Sequence, residues 1–380
     1  MKKRAKVAFV ATVYRHLEAF HLPYMKLLQE KGYEIHAYGS LDDGKVGVLN
    51  NDVICHDIDF KRNPFDWHNL KAFLELVKSF KKEEFQLVHF HTPVASIIGR
   101  IAAKLAKVPT VMYTAHGFHF FKGAPRLHWG VYYPIEKLMS RWTDYLITIN
   151  EDDFNLANKF NIRKEIYFVA GVGVDTVQFS IKKDFEIIEQ KRNSLFLNEN
   201  DFVILCVAEL NDNKNQRQLI EAVQKLRQKY NYVKCLLVGV GESDQSLREL
   251  VDKLQLNEII HFLGFRKDIP ELLAISNVVT LLSKREGLPK ALMEGLAASK
   301  PIIATDVRGC RDLVINGDNG YLVPISDVKL TVNAFQNLLD NRIKAQEMGK
   351  KSREMASKYD LQQILSEMEQ IYMKALNIEK

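Results

Sequence analysis

The sequence predicts an α/β protein made of two doubly wound domains, and three observations support this prediction. The chain has 380 residues, which exceeds one ordinary core and suits two domains of roughly 150 to 200 residues each. Short apolar runs alternate with segments of helical periodicity, as in proteins whose parallel strands are joined by crossover helices. The alternation then repeats in the second half of the chain. We therefore expect two parallel sheets facing one another across a cleft, where such sheets bind ligands.

The predicted strands follow one another in a regular order along each half of the chain. In the first half they span residues 7–11, 35–38, 87–90, 110–114, 145–148 and 166–169. After a link near residues 175–200, a second series spans residues 202–208, 233–238, 260–263, 278–282 and 301–304. Residues 361–375 have helical periodicity, and we expect this last helix to return to the N-terminal domain.

Composition excludes several classes of protein. Hydrophobic residues make up 47% and charged residues 26%, which is typical of a globular protein and argues against a disordered or fibrous one. The net charge of +6 results from 53 basic and 47 acidic residues, a mild excess that suits anionic ligands or an anionic membrane without establishing nucleic-acid binding. The cysteines are scattered, which argues against a zinc site or disulfide framework and suits a reducing compartment. They are Cys55, Cys206, Cys235 and Cys310.

The chain offers no segment that predicts a membrane span. A basic start followed by the apolar residues 7–13 superficially resembles a signal peptide, but the run is short and soon meets Arg15 and His16. We interpret it as a buried strand. No window has the roughly 18 to 20 apolar residues of a spanning helix. Leu70, Phe73, Leu74 and Val77 recur at helical spacing, and packing on the sheet is favoured over a membrane-surface helix.

Two glutamates are set around a predicted helix start in residues 283–298, which read SKREGLPKALMEGLAA and directly follow an apolar strand. Pro289 suits the first turn of a helix, so Glu286 lies in the preceding loop and Glu294 more than one turn inside. The two carboxylates could therefore hold separate parts of one ligand.

The backbone N–H groups of this helix start, around Gly287, Leu288, Pro289 and Lys290, predict a cradle for a phosphate. A lysine in a first turn opposes the helix dipole, and Lys290 is easier to explain if an anion occupies the site. The alternative is a solvated helix start with surface charges.

The Glu-x7-Glu spacing after a strand, with glycine directly after the first glutamate, resembles the signature of the family 4 retaining glycosyltransferases, which have the GT-B fold. The resemblance implies that Glu286 contacts the donor sugar hydroxyls and that Glu294 hydrogen-bonds the nucleotide ribose. It further implies an acceptor-binding domain in residues 1–175 plus about 362–380, and a donor-binding domain in residues 176–361.

Lys214 follows the strand at residues 202–208 and could point at the donor diphosphate. Proteins of the family usually have an arginine five residues before this lysine, but this sequence has Glu209 there. A like charge near the diphosphate is repulsive unless Glu209 turns away or pairs with Lys214. The alternative is a surface lysine that flanks a helix.

Two further loops of the second half are candidate nucleotide-binding segments, and the one that contains Arg266 resembles the family loop whose backbone reads the base. Gly239 and Gly241 follow a strand and would permit close approach of the backbone to a nucleotide. Arg266, after the strand at residues 260–263, could reach phosphate or base, and a simple strand-to-helix turn is an equal alternative.

Histidines end two strands of the first half. His116 lies in a segment that resembles the family segment whose histidine contacts the donor sugar, although a structural role is the common one for a lone histidine. His89 and His91 alternate on one strand, so a metal pair is conceivable. No carboxylate or cysteine is spaced to complete the ligand set, and we expect no metal there.

Aromatic and basic residues are mixed in residues 118–142, including Lys122, Arg126 and Trp129. This mixture suits an acceptor or membrane surface, and a helix packed on the sheet is an equal alternative. The segment is similar to those of bacterial capsule and exopolysaccharide glycosyltransferases that act on polyprenyl-diphosphate-linked sugars. The resemblance therefore implies a cytoplasmic protein, peripheral on the inner face of the membrane, with no nucleic-acid partner.

The expected reaction is transfer of a sugar, with an N-acetylated sugar as one candidate, from a UDP-sugar to a lipid-linked saccharide with retention. Lys214, the backbone at residues 287–290 and Arg266 would stabilise the leaving diphosphate, so no cofactor or metal is required. One alternative is a two-domain sugar-binding protein without catalysis. The other is a glycan phosphorylase of similar fold, but the chain is short for that class and no pyridoxal phosphate lysine is evident.

Overall fold

The computed structural model describes residues 4–61, 63–64, 66–180 and 185–377. Its contacts divide the chain into two compact units. Unit 1 comprises Met1–Val172 and Gln362–Lys380, and unit 2 comprises Gly173–Leu361. Each unit is built on one parallel sheet with helices in the connections.

Unit 1 contains a seven-stranded sheet among its described residues. The strands are β1 (Lys6–Val13), β2 (Glu34–Ser40), β3 (Ile54–Asp57), β4 (Leu87–Phe90), β5 (Thr110–Ala115), β6 (Tyr145–Thr148) and β7 (Glu165–Phe168). The helices are α1 (Tyr14–Phe20), α2 (Leu22–Glu30), α3 (Gly44–Leu49), α4 (Asn69–Glu83), α5 (Pro93–Leu105), α6 (Arg126–Met139) and α7 (Glu151–Ala157). The strand order β3-β2-β1-β4-β5-β6-β7 reverses direction between β1 and β4.

Unit 2 contains a six-stranded sheet in the part of the chain that the structure describes. Its strands are β8 (Phe202–Val207), β9 (Val233–Val238), β10 (Ile260–Gly264), β11 (Val278–Leu281), β12 (Ile302–Thr305) and β13 (Gly320–Val323). The helices are α8 (Thr176–Ser180), α9 (Phe185–Ser194), α10 (Gln216–Leu226), α11 (Asp244–Lys253), α12 (Ile269–Ile275), α13 (Lys290–Ala297), α14 (Cys310–Leu313), α15 (Val328–Leu339) and α16 (Arg342–Ala356). The order β10-β9-β8-β11-β12-β13 reverses between β8 and β11.

The two faces of the unit 1 sheet are both buried, which explains the continuous apolar runs of its strands. Side chains of a strand point alternately to opposite faces. In β1, Val7, Phe9 and Ala11 accordingly join one hydrophobic cluster, while Ala8 and Val10 join the other. Such strands cannot be recognised by an apolar–polar alternation, and their predicted positions rested on run length.

The last helix, α17 (Leu361–Ala375), packs in unit 1 as the sequence predicted. Its buried face carries Ile364, Met368 and Tyr372, which belong to the core cluster of β1. The Tyr372 hydroxyl lies 2.8 Å from Nδ1 of His89 on β4. The Thr110 hydroxyl on β5 donates to the carbonyl of Ala375 at 3.2 Å.

Both doubly wound sheets predicted from the sequence are present, but two strands were missed. β3 is an edge strand whose Ile54 is exposed, and β13, the opposite edge of the second sheet, begins with a glycine. β3 begins with only two apolar residues and β13 has only three after its glycine, so both lack the longer apolar run by which most other strands were recognised.

The predicted packing of the helix near residue 70 is only partly right. In α4, Ala72, Leu76 and Phe80 are buried, whereas Leu70 and Leu74 of the predicted stripe are exposed. Among the described residues, no helix has the length and apolar character needed to cross a bilayer.

Candidate active site

The loops that follow β8 and β11 meet where the strand order of unit 2 reverses. The two strands are adjacent and parallel, so their carboxyl ends lie at the same edge of the sheet. This is the position at which doubly wound sheets bind ligands. The first loop carries Lys214 before α10, and the second carries Glu286 before α13.

Lys214 and Glu286 form an ion pair at this edge. Nζ of Lys214 donates to Oε1 of Glu286 at 2.6 Å, and the two side chains are 22% and 9% exposed. The loops are also joined by the Lys284 N–H, which donates to the Asn213 carbonyl at 2.7 Å. The side chain of Asn213 donates to the Arg285 carbonyl at 3.1 Å. The pair is therefore held by its surroundings as well as by its own attraction.

Glu209 does not pair with Lys214, which resolves the question raised by the sequence. Its side chain is exposed, and no ion pair with another described residue involves it. The backbone carbonyl of Glu209 accepts a hydrogen bond from the Gln216 side chain at 2.9 Å. The acidic side chain is thus directed to solvent, one of the two outcomes that the sequence left open.

Arg308 is a buried cation beside Glu286 that the sequence analysis did not single out. It lies in the loop after β12 and is 3% exposed. Its Nε donates to the Glu286 carbonyl at 3.2 Å. The neighbouring Gly309 has φ +74°, and a Cβ there would lie 2.1 Å from the Gly287 carbonyl oxygen. The only signal for this residue in the sequence was its position, four residues after the predicted strand 301–304.

The helix start between the two glutamates differs slightly from the prediction. Helix α13 begins at Lys290, and Pro289 precedes it as the N-cap instead of lying in its first turn. Within the described parts of the chain, no oxygen accepts a hydrogen bond from the backbone N–H of Gly287 or Leu288. Because amides at a helix start attract anions, this segment has the donors that a phosphate requires.

Glu294 lies inside α13 as predicted, and its side chain is 12% exposed. Burial raises the pKa of its carboxyl to about 7, while Lys290 acts in the opposite direction. The Lys290 ammonium lies 4.0 Å from Oε1 of Glu294. The carboxyl of Glu294 therefore titrates near neutral pH, and it can donate a hydrogen bond only in its protonated form.

Gly239 and Gly241 are explained by the protein's own backbone. A Cβ on Gly239, which has φ +142°, would lie 2.0 Å from the Ala208 carbonyl oxygen, and one on Gly241 would lie 2.2 Å from that of Leu210. These glycines let the loop after β9 pack against the loop after β8. The approach of a nucleotide to this loop stays a prediction.

Arg266 is bound within its own loop. Its guanidinium contacts the Asp268 carboxylate through Nε at 2.7 Å and through Nη2 at 2.5 Å. Lys191 also donates to Asp268, at 2.5 Å. The two cations hold the pKa of Asp268 well below its usual range, although burial opposes them. Contact of Arg266 with the phosphate or base of a donor stays a prediction.

His116 belongs to a cluster of histidines in unit 1. The strand order reverses between β1 and β4, and the chain segments after these strands contribute His16, His21 and His91, while His116 follows β5. His21 and His91 stack with ring centroids 3.6 Å apart, and His16 meets His116 edge-on at 4.8 Å. Burial lowers the pKa of all four rings, that of His16 to about 4. The rings are therefore uncharged at neutral pH.

His89 has a structural position, so the conceivable metal pair of His89 and His91 is not formed. Its two ring nitrogens lie 2.8 Å from the Tyr372 hydroxyl and 2.7 Å from the Thr114 hydroxyl. In contrast, His16, His21 and His116 each bring a ring nitrogen within 4.8 Å of the others. The sequence analysis missed His16 and His21 because their meeting with His116 depends on the sheet topology.

In the aromatic and basic segment at residues 118–142, the aromatic Trp129 is packed and the basic Lys122 and Arg126 are exposed. Nε1 of Trp129 donates to the Phe121 carbonyl at 3.1 Å, and its ring packs near Phe120. Lys122 and Arg126 are exposed. Lys122 and Trp129 line a surface pocket of about 350 Å³. The helix-packing alternative thus describes Trp129, while the two cations remain available at the surface.

Comparison with known proteins identifies the family. Residues 187–355 match the model of glycosyl transferases group 1, and residues 6–150 match that of glycosyl transferase 4-like proteins. The chain is 36% identical over 98% of its length to EpsD of Bacillus subtilis (strain 168), which is named as a glycosyltransferase and is covered to 98%.

Two further relatives are named with more specific activities. One is the Escherichia coli UDP-Gal:alpha-D-GlcNAc-diphosphoundecaprenol alpha-1,3-galactosyltransferase, 30% identical over 79% of this chain and 77% of that protein. The other is the capsular polysaccharide biosynthesis glycosyltransferase CapM of Staphylococcus aureus, 28% identical over 97% of both chains.

A solved structure has the same fold. Anabaena Alr3699/HepE, crystallised in complex with UDP and glucose, superposes with a TM-score of 0.81, covering 98% of this chain and 100% of that one at 19% identity. This chain is therefore a family 4 glycosyltransferase with the GT-B fold, related to the enzymes of capsule and exopolysaccharide synthesis.

Proposed function

We propose that this glycosyltransferase transfers a sugar from a UDP-sugar to a polyprenyl-diphosphate-linked saccharide, with retention of configuration at the anomeric carbon. The product would be a precursor of a capsular or extracellular polysaccharide. The observation that carries the proposal is the Lys214–Glu286 pair at the point where the strand order of unit 2 reverses. The names of the relatives support the substrate classes.

In the proposed site, Glu286 and Lys214 act on different parts of the donor. Oε1 of Glu286 accepts from Lys214, which leaves Oε2 to accept hydrogen bonds from hydroxyls of the donor sugar. A lysine ammonium has three donors, so Lys214 can bind Glu286 and also approach the diphosphate. The carboxylate thereby positions the cation that stabilises the leaving group.

The diphosphate would be held by the helix start as well as by Lys214. The backbone N–H groups of Gly287 and Leu288 and the N-terminus of α13 supply donors and a favourable dipole. Arg308, bonded to the carbonyl of Glu286, adds positive charge beside this helix start. Because these groups balance the diphosphate charge, we propose that transfer requires no metal ion.

Glu294 would bind the ribose of the nucleotide. It lies on the first turns of α13, beyond the proposed phosphate site. A carboxylate accepts hydrogen bonds from both hydroxyls of a ribose, as the resemblance to the family implies. Gly239, Gly241 and Arg266 would be further donor contacts, although the two glycines also make room for a neighbouring loop and Arg266 bonds to Asp268.

Unit 1 would bind the acceptor, with His116 beside the transferred sugar. Lys122 and Arg126 are exposed on the segment that leads into α6. We propose that they attract the diphosphate of the acceptor lipid or the anionic head groups of the cytoplasmic membrane. This places the reaction on the inner face of the membrane, where the protein is held peripherally.

Glu286→Gln tests the proposed site directly. We expect transfer to fall by about 100-fold or more, because the neutral amide neither positions Lys214 nor accepts sugar hydroxyls as strongly. Glu209→Gln is a matched control, since it removes an exposed carboxylate from the loop that carries Lys214. Full activity of Glu286→Gln in a folded protein would refute the assignment. Loss of transfer in EDTA from a protein that stays folded, restored only by a divalent ion, would refute the metal-free chemistry.

A further inference from the structure

Four histidines with unsatisfied or weakly paired ring nitrogens meet where the strand order of unit 1 reverses. Nδ1 of His21, Nε2 of His116 and both ring nitrogens of His91 are buried without a hydrogen-bond partner among the described residues. Buried polar atoms are nearly always hydrogen-bonded. Four unpaired ring nitrogens in one place indicate a bound ligand that coordinates to them or forms hydrogen bonds with them.

Three of these rings are arranged as metal ligands. One ring nitrogen each of His16, His21 and His116 lies within 4.8 Å of the other two. Nε2 of His16 and Nε2 of His21 are 3.3 Å apart. Two imidazoles bound to one tetrahedral zinc ion at about 2.0 to 2.1 Å have their nitrogens about 3.3 Å apart. The Nε2 atoms of His16 and His21 therefore have the required spacing, and a ring nitrogen of His116 lies within 4.8 Å of the ligand atoms of both.

The surroundings of the cluster also suit a single ion. A cavity of about 10 Å³ lies beside it, lined by His21, His116 and Thr114, and this is roughly the volume of one water-sized sphere. A neutral imidazole nitrogen offers one lone pair to a metal, so each of the three rings can supply one ligand atom. No carboxylate is part of the cluster, which disfavours Mg²⁺ and Ca²⁺ and favours a metal that prefers imidazole.

We propose that His16, His21 and His116 form a binding site for a divalent first-row transition metal, with Zn²⁺ as the reference ion. The fourth coordination position would be taken by water. The ion links α1 and the start of α2 to the segment directly after β5. It is separate from the diphosphate chemistry proposed for unit 2, and it stabilises the fold of unit 1.

Direct titration tests the site without any measurement of transfer. Tag-free protein, stripped with a chelator and desalted, is titrated with Co²⁺ and monitored by its visible d–d absorption, then with Zn²⁺ as competitor. We expect one equivalent of Co²⁺ to bind with the spectrum of a nitrogen-ligated, four-coordinate ion. Zn²⁺ should displace it and raise Tm, whereas Mg²⁺ should do neither.

Variants connect the metal to these residues. His16→Gln is the main variant because His16 is only partly buried, and His116→Gln is the second because substitution of the fully buried His21 risks misfolding. Each should weaken binding by about tenfold or more. His68→Gln, at an exposed histidine paired with Asp66, should bind as the parent does. Absence of stoichiometric binding, or equal binding by His16→Gln and the parent, would overturn the proposal.

Discussion

At the scale of single residues, Glu294 is the side chain of the proposed donor site that titrates near neutral pH. Its pKa is raised by burial from the ordinary 4.5 to about 7. The folded protein therefore binds more protons than the unfolded chain between these two values, and this group lowers the unfolding free energy as the pH rises through that range. A bound ribose that hydrogen-bonds to the carboxylate would relieve this effect.

The affinity for UDP should consequently depend on pH. If the ionised form of Glu294 binds the ribose, UDP should bind about tenfold more tightly at about pH 8 than at about pH 6. Glu294→Gln should abolish this difference. The affinity is measured by calorimetric titration of both proteins with UDP. The ionisation of the UDP phosphate affects both titrations equally, so it cancels in the comparison. An identical pH dependence in both proteins would contradict the role of Glu294.

The sequence could predict these residues only as far as local spacing extends. The interval between Glu286 and Glu294 placed one carboxylate before α13 and the other inside it, because helix starts have local signals. The bond between Lys214 and Glu286 joins residues 72 positions apart, and Arg308 reaches Glu286 from a third loop. Such contacts depend on the order of strands in the sheet, which no local pattern contains.

At the scale of elements, the close contact between the loop after β12 and the loop before α13 shapes the proposed phosphate site. Gly309 has no room for a Cβ, since the Gly287 carbonyl oxygen would be 2.1 Å away. Gly317, in contrast, has a similar positive φ but nothing within 4 Å of its Cβ position. Substitution of Gly317 therefore tests backbone strain alone, whereas substitution of Gly309 adds displacement of the neighbouring backbone.

Gly309→Ala should therefore be the more damaging of two matched substitutions. Strain alone should cost about 1 kcal/mol in Gly317→Ala, while strain and displacement together should cost about 2 to 4 kcal/mol in Gly309→Ala. Urea denaturation of unit 2 measures both, and UDP titration should show weaker binding for Gly309→Ala only. Equal stability and equal UDP affinity of the two variants would show that this contact does not shape the site.

The glycines at 239 and 241 show why element-scale prediction was incomplete. A Gly-x-Gly after a strand indicates close approach of something to the backbone, but the sequence does not say what approaches. The structure shows that the neighbouring loop after β8 fills this space. The same ambiguity applied to Arg266, whose partner two residues along the chain competed with any ligand.

At the scale of the whole molecule, the end of the chain completes the core of unit 1. The hydroxyl of Tyr372 on α17 contacts His89 on β4, and both groups are fully buried. The chain thus crosses from unit 1 to unit 2 and returns, so unit 1 lacks part of its core until the last residues are present. The periodicity of residues 361–375 predicted this helix, and its return to the first domain was also expected.

Tyr372→Phe should destabilise unit 1 without changing its packing volume. Removal of the hydroxyl leaves a buried histidine nitrogen unpaired, which costs about 1 to 3 kcal/mol. Tyr33→Phe is the control, because Tyr33 lies in the same cluster and its hydroxyl has no hydrogen bond with a described residue. Urea denaturation compares the two, and a loss in Tyr33→Phe as large as that in Tyr372→Phe would contradict the importance of the His89 contact.

The fold as a whole was more predictable than the site. Two buried parallel sheets require long apolar runs in nearly every strand, and these runs survive in the sequence irrespective of strand order. The strands β3 and β13 were not predicted because their apolar stretches are only two and three residues long. The strand order itself, which brings Lys214 to Glu286 and His16 to His116, was available only from the structure.

The central claim, retaining transfer from a UDP-sugar, is tested most directly by the configuration of the product. The protein is incubated with α-linked UDP-sugars, beginning with UDP-GlcNAc and UDP-GalNAc, and a polyprenyl-diphosphate-linked saccharide. The new glycosidic linkage is then assigned by NMR of its anomeric proton. Retaining transfer should release UDP and give an α-linked product. A β-linked product, or no transfer from any UDP-sugar, would contradict it.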